Sequence, residues 1–245
     1  MASSNERAPA LTSRVDRTPL ADEHPGRLVR RWVLEALPPN LREALRTWRA
    51  GRRDARDWKT WRRTPVVPPP HVVKMRTVLD HARRFGLHVL IETGTFEGEM
   101  ARKCRHGFRR IVTIEIDPDL ARRAARRLAR YPTIEVIEGD SAHVLPRVLS
   151  GLGEPAVFWL DGHFSGTGTG RGERDTPLVQ ELEAIGRHPV PGHVVLVDDA
   201  RMLGSGDYPT LEEIRQRLAP LPPGGEIVVA DDIVRWTPRA AQEIG

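Results

Sequence analysis

The chain has 245 residues, of which 39% are hydrophobic and 29% charged, and a formal net charge of +5. That length buries one substantial core, and the composition is too polar for a membrane span, with no apolar run near the ~20 residues required. One cysteine, Cys104, excludes an internal disulfide and any multi-cysteine metal site and is expected as a small core residue.

The opening stretch, MASSNERAPALTSRVDRTPLADEHPG, lacks an apolar core and scatters its charges. Residues 1–24 therefore read as a disordered leader and not a signal peptide, and a cytoplasmic protein is expected. Residues 25–65 hold 12 Arg or Lys against 4 Asp or Glu, a local balance of +8 that leaves −3 for the rest. Leu28, Val29, Trp32, Val33, Ala36 and Leu37 recur at helical spacing before Pro38 and Pro39 stop them. Asn40 with Glu43 predicts a capping box for a second helix carrying Leu41, Ala44, Leu45 and Trp48. PVVPPP at 65–70 reads as a stiff linker, which places the main domain at 66–245.

After a predicted helix over 71–85, short apolar runs alternate with helical segments: HVLIETG, IVTIEID, TIEVIEGD, AVFWLDG and HVVLVDD. Each run is rich in β-branched or aromatic residues and ends on Gly, Asp or Glu. This predicts parallel strands covered on both faces, with function gathered at their C-terminal tips. Helices are expected near 97–107, 118–130, 141–150 and 177–187. YPTLEEIRQRLAPL predicts another helix, and EIVVADDIVRW two short strands around Ala230 and Asp231, closing the sheet as an antiparallel hairpin. The fold class is α/β: a doubly wound, mostly parallel sheet of seven strands behind a basic helical extension.

The first strand leaves through Glu92, Thr93, Gly94, Thr95, Phe96, Glu97 and Gly98. This spacing matches neither G-x-G-x-x-G nor G-x-x-x-x-G-K-[ST], which argues against NAD and nucleoside triphosphates. The second strand ends with Glu115 about 20 residues on, placed to accept from both hydroxyls of a ribose, and the third ends in Gly139, Asp140 and Ser141. This order of tips resembles the class I S-adenosylmethionine-dependent methyltransferases over roughly residues 71–238. The resemblance implies Glu92, Gly94, Thr95 and Gly98 around the methionine moiety, Glu115 on the ribose, and Asp140 with Ser141 near the adenine, with Asp161 also lining the cofactor site. Phe96 departs from the glycine-richest loop and looks more like the catechol and macrocin O-methyltransferase branches.

Asp161 ends the fourth strand, and Asp198 with Asp199 ends the fifth. Carboxylates so gathered repel unless a cation lies among them, and an all-oxygen donor set favours Mg²⁺. The sequence therefore predicts a metal site at Asp161, Asp198 and Asp199, similar to that of the metal-dependent O-methyltransferases. Such an ion would lower the pKa of an acceptor hydroxyl. His163 is the candidate general base, with metal ligation as its alternative role. The glycine-rich loop from Phe164 to Asp175 is expected to fold over substrate.

The expected function is methylation of a hydroxyl on a small molecule such as a secondary metabolite or sugar. The tryptophans among the arginines keep three uses open: a lid or homodimer arm, a cradle for an anionic or aromatic acceptor, or contact with RNA or DNA. No recognised nucleic-acid motif accompanies them.

Overall fold

A computed structural model describes residues 38–162 and 176–239. The predicted leader, the helix expected over 27–37, His163 and the loop Phe164 to Asp175 lie outside the described residues. The chain divides into two compact units between Arg53 and Asp54. The division falls within the first described helix, α1 (Pro39–Arg63). The helix starts one residue before Asn40, so Asn40 lies in its first turn and is not its cap. A proline fits that start, since its fixed φ suits the first turn and its missing N–H is not needed there.

The second unit is built on one sheet. Its elements in chain order are α2 (His71–Phe85), β1 (Val89–Thr93), α3 (Glu99–Cys104), β2 (Arg110–Glu115), α4 (Pro118–Leu128), β3 (Ile134–Glu138), α5 (Ser141–Ser150), β4 (Val157–Leu160), α6 (Leu178–Gly186), β5 (Val194–Val197), α7 (Leu211–Leu218), β6 (Gly225–Ala230) and β7 (Ile233–Pro238). The strands lie in the order β3-β2-β1-β4-β5-β7-β6. β1 to β5 are parallel, and β7 runs antiparallel to both β5 and β6. This is the seven-stranded α/β architecture of the class I methyltransferase fold.

Alternation along each strand divides the core in two. Ile91, Phe158 and Val195 face a cluster that includes Leu145, Leu182 and Ile214 of α5, α6 and α7. Leu90, Trp159 and Leu196 face another, with Val78, Ala101 and Leu128 of α2, α3 and α4. Cys104 is buried in the second cluster. The expectation of strands covered on both faces holds for β1, β4 and β5, whose residues are all buried. It fails for β3, which is half-exposed along its length because it is an edge strand.

The hairpin turns at Asp231 and Asp232, both with left-handed backbones (φ 56° and 61°), as a two-residue turn of the tight mirror-image type requires. The Asp232 carbonyl accepts from the Ala200 amide at 2.8 Å, tying the hairpin tip to the chain leaving β5. At the start of the unit, Trp58 and Trp61 of α1 stack with centroids 5.6 Å apart. The Arg76 guanidinium of α2 lies 4.5 Å from the Trp58 centroid, and Lys103 of α3 pairs with Asp54 at 3.0 Å. The last turns of α1 are thus held to α2 and α3 by a cation–π contact and an ion pair.

Candidate active site

β1 is the pivot of the sheet, because the strand order runs outward from it in both directions. A crevice opens at the C-terminal ends on either side of such a reversal. The register fixes what borders it: Ile114 and Leu160 both pair with Thr93, so Glu115 and Asp161 are the next residues on either flank of the β1 exit. Two strand spacings separate them, about 10 Å.

The loop after β1 is pinned to both neighbours. The amides of Gly94 and Thr95 donate to the Ile114 carbonyl at 3.0 and 3.2 Å, and the Asp161 amide donates to the Thr93 carbonyl at 3.1 Å. Gly94 has φ +82°, and a Cβ there would lie 2.5 Å from the Asp161 carbonyl oxygen. Phe96 also adopts a left-handed backbone, φ 47°, which a glycine would adopt freely. Its amide donates to Glu115 Oε2 at 2.7 Å, while the residue as a whole is 52% exposed. Gly98, φ 69°, stands at the N-terminal end of α3.

Glu115 is buried, and its other oxygen accepts from the Asp117 amide at 3.0 Å. An ionised carboxylate offers about four acceptor positions. Among the described residues two are taken, one on each oxygen, which leaves one on each for a vicinal diol. This pair of acceptor oxygens therefore fits the ribose diol of S-adenosylmethionine.

Two other predicted cofactor residues turn inward. Glu92 is 2% exposed and accepts from Thr113 Oγ1 at 2.7 Å, and Thr113 in turn contacts Thr95 Oγ1 at 2.6 Å. The side chains of Glu92 and Thr95 are thus satisfied within the protein. The reason is parity: Glu92 shares the face of Leu90, under α3. Burial pushes its carboxyl up to about 8, so at neutral pH it is the acid that is buried. Because the folded protein holds this proton while the unfolded chain releases it near pH 4.5, stability conferred by Glu92 is lost as pH rises from about 4.5 to 8. Glu92→Gln should match the parent near pH 5 and exceed it by on the order of 2 kcal/mol at pH 8, read from urea denaturation at both pH values.

On the opposite face, Asp140 caps α5 by accepting from the Ala142 amide at 2.9 Å, and Ser141 Oγ donates to Glu181 of α6 at 2.5 Å. Glu181 is buried beside the β4 tip: a Cβ on Gly162 would lie 3.4 Å from its Oε1. Burial pushes it up to about 7. Sequence reasoning missed this carboxyl, for which the local cue is an acid inside a largely apolar helix.

At the β5 tip the predicted metal donors meet protein cations instead. The Lys74 ammonium of α2 is in contact with Asp198 Oδ2 and lies 3.8 Å from Asp199. Asp198 Oδ1 accepts from the Asp199 amide at 2.9 Å. The Arg201 guanidinium holds Asp199 at 2.7 Å and also contacts Asp232. Burial opposes the charge on Lys74, but Asp198 and Asp161 outweigh it and raise its pKa. Burial, and after it Asp161, push the Asp198 carboxyl up to about 7, and the Lys74 ammonium opposes that rise. Burial, Asp199 and Asp161 together raise the Tyr208 phenol, which places it near the same carboxylates. Among the described residues, no three His, Cys, Asp or Glu side chains are grouped to hold a metal ion. The expected Mg²⁺ site at Asp161, Asp198 and Asp199 therefore does not fit this arrangement: an ammonium already occupies the oxygen that a dication would need. Lys74, Arg201 and Tyr208 escaped sequence reasoning. The one available cue was a rare lysine, one of three in the chain, set in the apolar stretch HVVKM.

No family model matches the chain. The ribosomal RNA small subunit methyltransferase A of Acidobacterium capsulatum is 28% identical over 172 residues, which cover 66% of this chain and 59% of that protein. The match thus spans less than two thirds of the relative's length. Among solved structures, the SAH-bound methyltransferase PaMTH1 of Podospora anserina shares 18% identity, covering 83% of this chain and 98% of its own, with a TM-score of 0.49. The O-methyltransferase from Bacillus cereus in complex with SAH shares 18% identity over 86% of this chain and 97% of its own, also at 0.49. Among the described residues, no helix is long and apolar enough to cross a membrane.

Proposed function

We propose that this protein is an S-adenosylmethionine-dependent methyltransferase acting on a hydroxyl of a small molecule. The observation that carries the reading is Glu115, a buried carboxylate with one free acceptor position on each oxygen, beside the glycine turn at the pivot of the sheet. Glu115 binds the ribose diol, the backbone from Gly94 to Gly98 lines the methionine end, and Asp140 with Ser141 borders the adenine. S-adenosylmethionine supplies, when bound, an electrophilic methyl group on a sulfonium. Asp161, across β1 from Glu115, orients the acceptor hydroxyl, and His163, outside the described residues, takes its proton. Positioning donor and acceptor together accounts for most of the rate such a site achieves.

Calorimetry with S-adenosylhomocysteine tests the first half of this reading: micromolar uptake supports it, and absence of heat at millimolar ligand overturns it. A methyl-transfer screen over hydroxylated metabolites tests the second half.

A second reading, methylation of nucleic acid, is favoured by α1. There Trp48 is 56% exposed with the Arg52 guanidinium 5.0 Å from its centroid, a pairing suited to stacked bases and phosphates. The curated relative acts, by its name, on ribosomal RNA. On this reading, association with an RNA hairpin weakens steeply from 50 to 200 mM salt, and replacing Arg49, Arg52 and Arg53 by alanine lowers the salt slope by roughly 2–3. The small-molecule reading predicts no uptake of RNA at 150 mM salt and no difference between the two proteins.

A further inference from the structure

α2 is laid on the sheet by Val72, Val73, Val78 and Ala82, all buried. Lys74 lies four residues before Val78, so it stands one turn up the same side of the helix and reaches the end of β5. Asp198 meets it there because it shares the parity of Leu196, the face that α2 covers. The Lys74 side chain is 17% exposed and that of Asp198 1%.

The placement matters because of what each oxygen of Asp198 is doing. Oδ1 accepts a backbone amide and Oδ2 contacts the ammonium. Asp199 is shared between Lys74 and Arg201. A magnesium ion demands near-octahedral oxygen ligands at about 2.1 Å and gives up its waters reluctantly. To bind here it would have to displace Lys74 from Asp198 and then remain beside that positive charge.

We propose that Lys74 is the built-in cation of this site, taking at Asp198 the place that a divalent ion would take, so that the carboxylates at the β5 tip bind no divalent metal while Lys74 is present. This rests on the methyltransferase reading only for its purpose: an ammonium with donors left over beside the acceptor end of the crevice can hold an acceptor oxygen without a metal. Lys74 neutralises Asp198 and is a positioning residue for the tip.

The test is a manganese titration of the full chain, followed by water-proton relaxation, on the parent, Asp198→Asn, Lys74→Met and the double variant. The parent should show no uptake below millimolar metal that Asp198→Asn removes. Lys74→Met should bind manganese at least tenfold more tightly than the parent, and the double variant should lose that gain. Sub-millimolar binding by the parent that Asp198→Asn abolishes overturns the proposal, as does a folded Lys74→Met with no gain. If Lys74→Met does not fold, the comparison of parent with Asp198→Asn decides alone. Uptake by the parent that is indifferent to Asp198→Asn lies elsewhere and supports it. S-adenosylhomocysteine calorimetry on the same samples separates the two questions: failure to bind it sinks the methyltransferase reading and leaves the manganese result standing.

Discussion

Glu115→Ala should weaken S-adenosylhomocysteine binding by about 100-fold, with Glu115→Gln weakened about tenfold. Hydrogen bonds to a charged group contribute about 1.5–3 kcal/mol each, and 1.4 kcal/mol is a factor of ten. Two such bonds to a diol act as a unit, so their loss is less than their sum. Gln retains one acceptor oxygen and the shape of the side chain, which is why it keeps part of the affinity. Alanine also strips the partner from the amides of Phe96 and Asp117, so some of its loss comes through a loosened loop. Calorimetry on both variants, with urea denaturation alongside, separates these contributions. Equal affinity in parent and Glu115→Ala would remove Glu115 from the cofactor site.

Gly94→Ala should cost roughly 3 kcal/mol or more of folding stability, while Gly86→Ala costs only about 1 kcal/mol. Both glycines have left-handed backbones, φ +82° and +63°, so both substitutions incur the same backbone penalty. They differ in what the new methyl group meets. At Gly86, just after α2, nothing lies within 4 Å, whereas at Gly94 the methyl would press on the Asp161 main chain at 2.5 Å and on Gly162 Cα at 3.2 Å. Those atoms belong to the backbone and cannot swing aside, so β1 and β4 must part or the loop must shift. Chemical denaturation of the two variants beside the parent measures the difference. In Gly94→Ala the damage lies at the crevice, so S-adenosylhomocysteine affinity should fall with stability, while Gly86→Ala leaves affinity unchanged. Similar costs for both would show that the approach of the β1 loop to the β4 tip is not what requires glycine at 94.

The amino-acid sequence by itself determined which segments become strands and which residues stand at their ends. Alternating apolar runs, acidic or glycine tips and the proline and glycine breaks are local patterns, and local patterns are what propensity and periodicity report. That is why β1 to β5, the closing hairpin and the order of Glu92, Glu115, Asp140, Asp161, Asp198 and Asp199 along the rim were legible. What those side chains do at the rim was decided by the tertiary structure. Glu92 turns under α3 because of its parity in β1, and only the packed sheet makes that face dry enough to hold its proton. Three carboxylates read in sequence order called for a metal ion. In space Asp198 meets Lys74, 124 residues earlier in the chain, and Asp199 meets Arg201, itself steered by Asp232 at the hairpin tip. Charge compensation depends on distance through space, which falls off over a few ångströms, and sequence separation carries no record of it. The chain thus announces where its chemistry gathers, and the fold decides which charges answer one another there.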